Sequence, residues 1–235
     1  MARKIPIGET GIVTFPRATF FGAVWDYHAG DHCTFLAPFG GGKTELAMEA
    51  LHAVSSPVLQ ATIFVMKPKD PTITRWTPIL GYETVRDWPP SQIKFLKRIF
   101  GKRPPGYVLW PLDTGNIEYD EWHQTQVFTR ALGLLYSAAK KKPNIMFADE
   151  TYSLENELGL SKYLKRSWSK GRSIGNGLWA GSQRPALIDQ LAYQAQHLFL
   201  GYDADDRAQQ RYAEIGGGID PMIVKSIIAQ LARFQ

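Results

Sequence analysis

The sequence contains a single cysteine, Cys33, in 235 residues. One thiol cannot close an internal disulfide or build a cysteine-based zinc site, and within HCTFLAP it is expected to be a small buried core residue. Long hydrophobic runs are lacking too. The apolar stretches are broken by charges or glycines well short of the roughly 18 residues that a bilayer span requires, and the opening MARKIPIGETG has no apolar secretory region. No membrane insertion and a cytoplasmic location are therefore expected. His28, His32, His52, His123 and His197 are scattered without a pair at metal-ligand spacing. Internal repeats and low-complexity tracts are missing as well. With 44% hydrophobic and 21% charged residues, the composition is that of a folded globular chain. The length suits one domain with a sizeable core, spanning residues 1–235.

Acidic residues are absent from two stretches. KFLKRIFGKR holds Lys94, Lys97, Arg98, Lys102 and Arg103, and SKYLKRSWSKGR holds Lys162, Lys165, Arg166, Lys170 and Arg172. The formal charge is +5 and the sequence pI about 9.2. A polyanionic partner and a solvated helix face account for these runs equally well. The seven tryptophans, Trp76, Trp88, Trp110 and Trp179 among them, are expected to fill the core and the excursion rather than stack on bases.

Strand and helix signals alternate along the chain. HCTFLAP reads as a strand, a glycine loop follows, and a helix is predicted over residues 43–53. VLQATIFVMKP reads as a buried strand stopped by Pro68. Residues 88–106, bounded by two proline pairs, read as an excursion from the core. YVLWPLD is then a strand, residues 118–142 a long helix with lysines at its C-terminal end, and NIMFADE a strand. A basic helix over residues 158–172, a strand GLWAGSQ, a helix ALIDQLAYQ, a strand HLFLGYD and closing helices complete the order. Strands separated by helical crossovers predict an α/β fold, a mostly parallel sheet with helices on both faces.

APFGGGKT (residues 37–44) falls between a predicted strand and a predicted helix. Glycines there let successive backbone N–H groups turn inward as a phosphate nest, and the helix presents its positive end. The candidate nucleotide-contacting residues are Pro38, Phe39, Gly40, Gly41, Gly42, Lys43, Thr44 and Glu45. In a P-loop, Lys43 reaches the β and γ phosphates of ATP and Thr44 offers its hydroxyl to Mg2+. Ala37 stands where the pattern usually begins with glycine.

IMFADE (residues 145–150) is an apolar strand ending in two acids, where a parallel sheet opens its ligand crevice. Asp149 is the candidate Mg2+ residue beside Thr44. Glu150 is the candidate base for the attacking water, a role that separates hydrolases from kinases. In GLWAGSQRP, Gln183 ends the next strand and can touch both the γ phosphate and the lytic water.

APFGGGKT, MKPKD, FADE, KGRS and GSQRP occur in the order found in the FtsK and HerA superfamily of hexameric DNA-pumping ATPases. The chain resembles the compact single-domain members encoded by phages and other viruses, over roughly residues 35–199 and much more weakly over residues 1–30 and the excursion at 88–106. The resemblance implies a RecA-like P-loop fold, ATP and Mg2+ as ligands, a homo-oligomeric ring, hexameric or similar, and double-stranded DNA as the cargo. A portal, capsid or adaptor protein is a further partner of such a motor. By position Lys43 and Thr44 match the Walker A residues, Asp149 and Glu150 the Walker B pair, Gln183 the sensor, and Arg172 an arginine that reaches a neighbouring subunit's nucleotide. Lys69 matches a lysine of the family's Asp-Pro-Lys motif, but Lys67 stands where that motif has aspartate. Two other functions use the same motifs: an ATP-dependent switch or assembly protein that moves nothing, with DADDRAQQRYAE as its contact, and a small-molecule kinase, which Glu150 and Gln183 argue against.

Overall fold

The computed structural model describes residues 6–90, 103–183, 190–215 and 219–231. Seven strands form one sheet: β1 (Cys33–Leu36), β2 (Gln60–Phe64), β3 (Glu83–Val85), β4 (Gly106–Leu109), β5 (Asn144–Ala148), β6 (Asn176–Ser182) and β7 (His197–Leu200). Their spatial order is β3-β4-β2-β5-β6-β1-β7, and every pairing is parallel. All seven carboxyl ends therefore lie along one edge of the sheet. The α/β expectation holds.

Side chains alternate across each strand, so the two sheet faces build two cores. On one face Phe35, Ile63, Ile145, Phe147 and Trp179 meet helices α1 (Lys43–Val54) and α2 (Pro71–Leu80). On the other, Leu36, Phe64, Met146, Ala148 and Leu178 meet α3 (Ile117–Ala139), α4 (Ser161–Lys170), α5 (Asp206–Ile215) and α6 (Pro221–Ile228). Burial on both faces explains why β5 and β6 have no exposed position and read as continuous apolar runs. Cys33 is fully buried in β1, and Trp88, Trp168 and Trp179 are core residues. Trp122 departs from the core expectation, being 58% exposed on α3.

The N-terminal segment joins the first core. A short helix, Arg17–Thr19, runs on as a π-turn, Phe20–Val24. Phe21 and Trp25 then pack on Phe199 of β7, with ring centroids 6.1 and 5.7 Å apart.

Two elements go beyond the sequence expectation, α2 and the edge strand β3. The strand expected over residues 107–113 is shorter, and it begins at Gly106. Of the predicted excursion, residues 91–102 lie outside the described residues, as do residues 186–189 of the predicted helix ALIDQLAYQ. The remainder of that helix is a 3-10 turn, Gln190–Gln194.

Candidate nucleotide site

Four neighbouring strands, in the spatial order β2-β5-β6-β1, bring their carboxyl ends to one crevice. From β1 the chain enters the glycine loop. Gly40 and Gly42 hold φ of 69° and 83°, the left-handed region that side chains resist, and α1 starts directly at Lys43. No side chain caps that helix, leaving its first N–H groups directed into the loop, where an anion can take them. Phe39 is 81% exposed at the loop tip and Pro38 is half-buried. Glu45 turns toward α2, where Arg75 pairs with its carboxylate.

β5 ends at Ala148, and Asp149 and Glu150 follow. Lys43 Nζ donates to Asp149 Oδ1 at 2.9 Å and to the Asp149 carbonyl at 2.8 Å. Thr44 Oγ1 donates to Asp149 Oδ1 at 2.7 Å. Burial pushes the Asp149 carboxyl upward. The Lys43 charge, the hydrogen bonds from Lys43 and Thr44, and the Lys67 charge outweigh burial and hold it below the usual carboxylate range. Gly181 of β6 makes this approach possible, because a Cβ there would stand 2.5 Å from the Asp149 carbonyl oxygen.

Gln183 follows β6 and donates through Nε2 to Glu150 Oε1 at 2.6 Å. Lys43 and Thr44 thus meet Asp149, and Gln183 meets the adjacent Glu150. Arg172 is not part of it. It lies before the amino end of β6 and pairs through Nε with the buried Asp31 at 3.1 Å. β6 has seven residues, about 20 Å of extended chain, so Arg172 stands at the far end of the strand that carries Gln183.

Of the two lysines in MKPKD, Lys67 reaches the acids and Lys69, the one that matches the family motif, does not. Lys67 Nζ is 2.9 Å from Glu150 Oε1 and 3.6 Å from Asp149 Oδ2, whereas Lys69 is exposed. Burial lowers the Lys67 pKa, but the Glu150 hydrogen bond and the charges of Asp149, Glu150 and Asp70 outweigh it and raise the pKa above the ordinary lysine value. It lies just past β2, and only the pairing of β2 with β5 brings it to the acids.

A Thr44 hydroxyl and an Asp149 carboxylate are hard oxygen donors suited to Mg2+ carried on a phosphate chain. Among the described residues no group of three or more His, Cys, Asp and Glu could hold a metal alone.

Solved structures share this fold. The chain is similar to B204, the DNA-packaging ATPase from Sulfolobus turreted icosahedral virus, with a TM-score of 0.55 and 15% identity over 88% of this chain and 90% of that one. It is also similar to the genome packaging NTPase B204 from Sulfolobus turreted icosahedral virus 2 in complex with AMPPCP, with a TM-score of 0.53 and 14% identity over 88% and 90%. The complex of that protein with ATP-gammaS gives 0.52 and 14% over the same shares. The fold is that of a P-loop NTPase. No protein-family model matches the sequence, and no curated protein matches it. No helix among the described residues is long and apolar enough to cross a membrane.

Proposed function

We propose that the chain is an ATP-hydrolysing motor that assembles as a homo-oligomeric ring, hexameric or similar, and moves double-stranded DNA in phage or mobile-element genome packaging or transfer. The observation that carries this reading is the convergence of Lys43, Thr44, Asp149, Glu150 and Gln183 on one crevice. Loop N–H groups bind the phosphates. Lys43 would exchange Asp149 for the β and γ phosphates, and Thr44 and Asp149 would hold Mg2+, which would supply Lewis-acid polarisation of the phosphoryl oxygens. Glu150 accepts the proton of the attacking water, and Gln183, already bonded to Glu150, orients that water. Arg172 cannot reach its own crevice from the far end of β6, so its role at a nucleotide is in a neighbour's site.

The DNA part of the reading is supported by the α3–α4 face. Residues 122–148 and 158–188 contain no Asp or Glu. Lys162, Lys165, Arg166 and Lys170 are exposed on α4, opposite the buried Leu164, Ser167 and Trp168. Arg166 lies over the Tyr136 ring of α3, 4.5 Å from its centroid, and the exposed Lys140 and Lys141 follow that helix. A cationic stripe of this kind suits a phosphate backbone read without sequence preference. The likeness to B204, a DNA-packaging ATPase, supports the same cargo.

The assembly-protein reading is weakened by the fate of DADDRAQQRYAE. Asp203 is buried and accepts from Tyr212 Oη at 3.2 Å, Asp205 accepts from the Arg207 N–H, and Asp206 pairs with Lys225 at 3.1 Å. These acids start and brace α5. Phosphate release measured with and without duplex DNA across a salt series, beside mass measurement of the particle, tests the proposal. DNA stimulation that fades with salt, in an oligomer, is the expected result. An oligomer whose turnover duplex DNA leaves unchanged would sink the motor reading.

A further inference from the structure

Lys67 is held in the crevice by three elements. The Trp110 indole at the end of β4 donates to the Lys67 carbonyl at 2.8 Å. Asp70 caps α2 by accepting from the Ile73 N–H at 2.9 Å, and Pro68 stiffens the short link between. The side chain leaves this link toward the acid pair, with Nζ 2.9 Å from Glu150 Oε1, 3.6 Å from Asp149 Oδ2 and 3.9 Å from Asp70 Oδ2. Asp149 therefore lies between two ammonium groups, with Lys43 on Oδ1 and Lys67 toward Oδ2. Lys67 approaches from the β2 side, and the phosphate loop lies two strands beyond β5 on the other.

We propose that Lys67 is a second phosphate-binding lysine, which holds Glu150 in the absence of a triphosphate and bridges Glu150 to the γ phosphate once one is bound. This rests on the reading of the crevice as an ATP site. Two lysines face three carboxylates, Asp70, Asp149 and Glu150. A triphosphate brings more negative charge than one Mg2+ neutralises, so a second cation near the γ phosphate is favourable. An ammonium has three donors. Among the described residues Glu150 is the one carboxylate within hydrogen-bonding distance of Lys67, which leaves donors for a phosphate oxygen. The side chain is 39% exposed and is free to shift. Lys43 serves the loop end of the phosphate chain, and Glu150, Gln183 and Lys67 meet at the end where the γ phosphate would lie. ADP has nothing there for Lys67 to bind, so Lys67 separates the two nucleotides.

Calorimetric affinities for ATPγS and for ADP, measured on the full chain, test this with Lys67→Ala, Lys67→Arg and Lys69→Ala beside the wild type, each checked by thermal melting. Lys67→Ala should lose about tenfold or more in ATPγS affinity, the size of one charge-assisted hydrogen bond, with ADP affinity unchanged. Lys67→Arg keeps the charge and should recover part of the loss, and Lys69→Ala should match wild type. Equal losses for both nucleotides, or none for either, would overturn the proposal, and a lowered melting point with both affinities reduced would mark Lys67 as structural. If Lys67→Ala does not fold, a Lys67→Arg variant with wild-type discrimination supports the proposal and one that has lost all discrimination overturns it. Wild-type protein that binds neither nucleotide would remove the ATP reading itself, a separate failure.

Discussion

Ala37 puts a methyl group where the phosphate-loop pattern carries glycine, and two other glycines leave it room. A Cβ on Gly201 would stand 2.8 Å from the Ala37 Cβ, and one on Gly41 would stand 3.0 Å from it. Gly201 follows β7 and donates its N–H to the Leu36 carbonyl at 2.8 Å, so backbone pairing holds it in place beside the loop. Gly201→Ala should destabilise the protein by about 1–3 kcal/mol through overpacking. Placed in an Ala37→Gly background, the same change should cost much less, a coupling that a double-mutant cycle of denaturation free energies measures. Additive effects would show that the two positions do not share this space. His32 carries a second residue-level consequence. Its Nδ1 accepts from the Leu178 N–H at 3.0 Å and its Nε2 faces the Trp168 carbonyl at 3.1 Å, so the neutral ring satisfies both partners. Burial lowers its pKa to about 4, although the Trp168 hydrogen bond and Asp31 pull the other way. The unfolded chain takes up this proton near pH 6.5 and the folded chain only near 4, so acid favours unfolding across that window. Stability should be greatest above about pH 6.5 and fall by about 3 kcal/mol in all as pH drops to 4. Urea unfolding at about pH 7.5 and about pH 5 should show a loss about 2 kcal/mol larger for wild type than for His32→Gln. Matching losses would acquit His32.

At the scale of elements, α4 divides into a face that packs and a face that is charged. Lys162, Arg166 and Lys170 are spaced i, i+4, i+8 along its exposed side, one above the other. If this stripe meets duplex phosphates, changing all three to Gln should make the dependence of log K on log salt shallower by about 0.9 for each phosphate no longer neutralised, or roughly 2–3 in total. The fall in affinity should be the same for unrelated duplex sequences, as anisotropy titrations would show. An unchanged slope would return the stripe to the role of a solvated face. β1, β2, β5 and β6 are legible in the sequence because strands covered on both faces are predominantly apolar and free of charged residues. α2 is not legible, since Pro71 and Pro78 and the β-branched Thr72, Ile73, Thr74 and Thr77 blur its periodicity, and β3 is a three-residue edge strand. The loop, the two acids and Gln183 each end an apolar run, so local pattern reveals them. Lys67 becomes a site residue only through the pairing of β2 with β5, Phe64 opposite Ala148, a long-range contact that no local pattern states. The Arg172–Asp31 pair joins residues 141 positions apart and is hidden for the same reason.

For the whole molecule, the two ends of the sheet are chemically different. The carboxyl end gathers the phosphate loop, both acids, Gln183 and Lys67. The amino end holds Asp31, which accepts from Arg172 Nε at 3.1 Å and from the His28 N–H at 3.1 Å, with His197 Nε2 at 3.4 Å. Tied to the amino end, Arg172 cannot serve its own crevice, yet its side chain is 62% exposed and open to a neighbouring copy. In a closed ring each crevice would then be completed by the arginine of the next subunit, a head-to-tail interface that closes on itself. An arginine supplied in this way is worth roughly a thousandfold or more in rate, so Arg172→Ala rings should hydrolyse ATP slowly while binding it normally. Glu150→Gln rings should also bind and fail to hydrolyse, for want of the base. Mixed rings distinguish a trans role from a structural one. An interface with Glu150 intact on one subunit and Arg172 intact on the next is whole, so a mixture of the two inactive variants should regain turnover that neither shows alone. Recovery should peak at intermediate ratios, and mass measurement should confirm that the subunits have exchanged. Rings proven to be mixed that stay inactive would confine Arg172 to its pairing with Asp31.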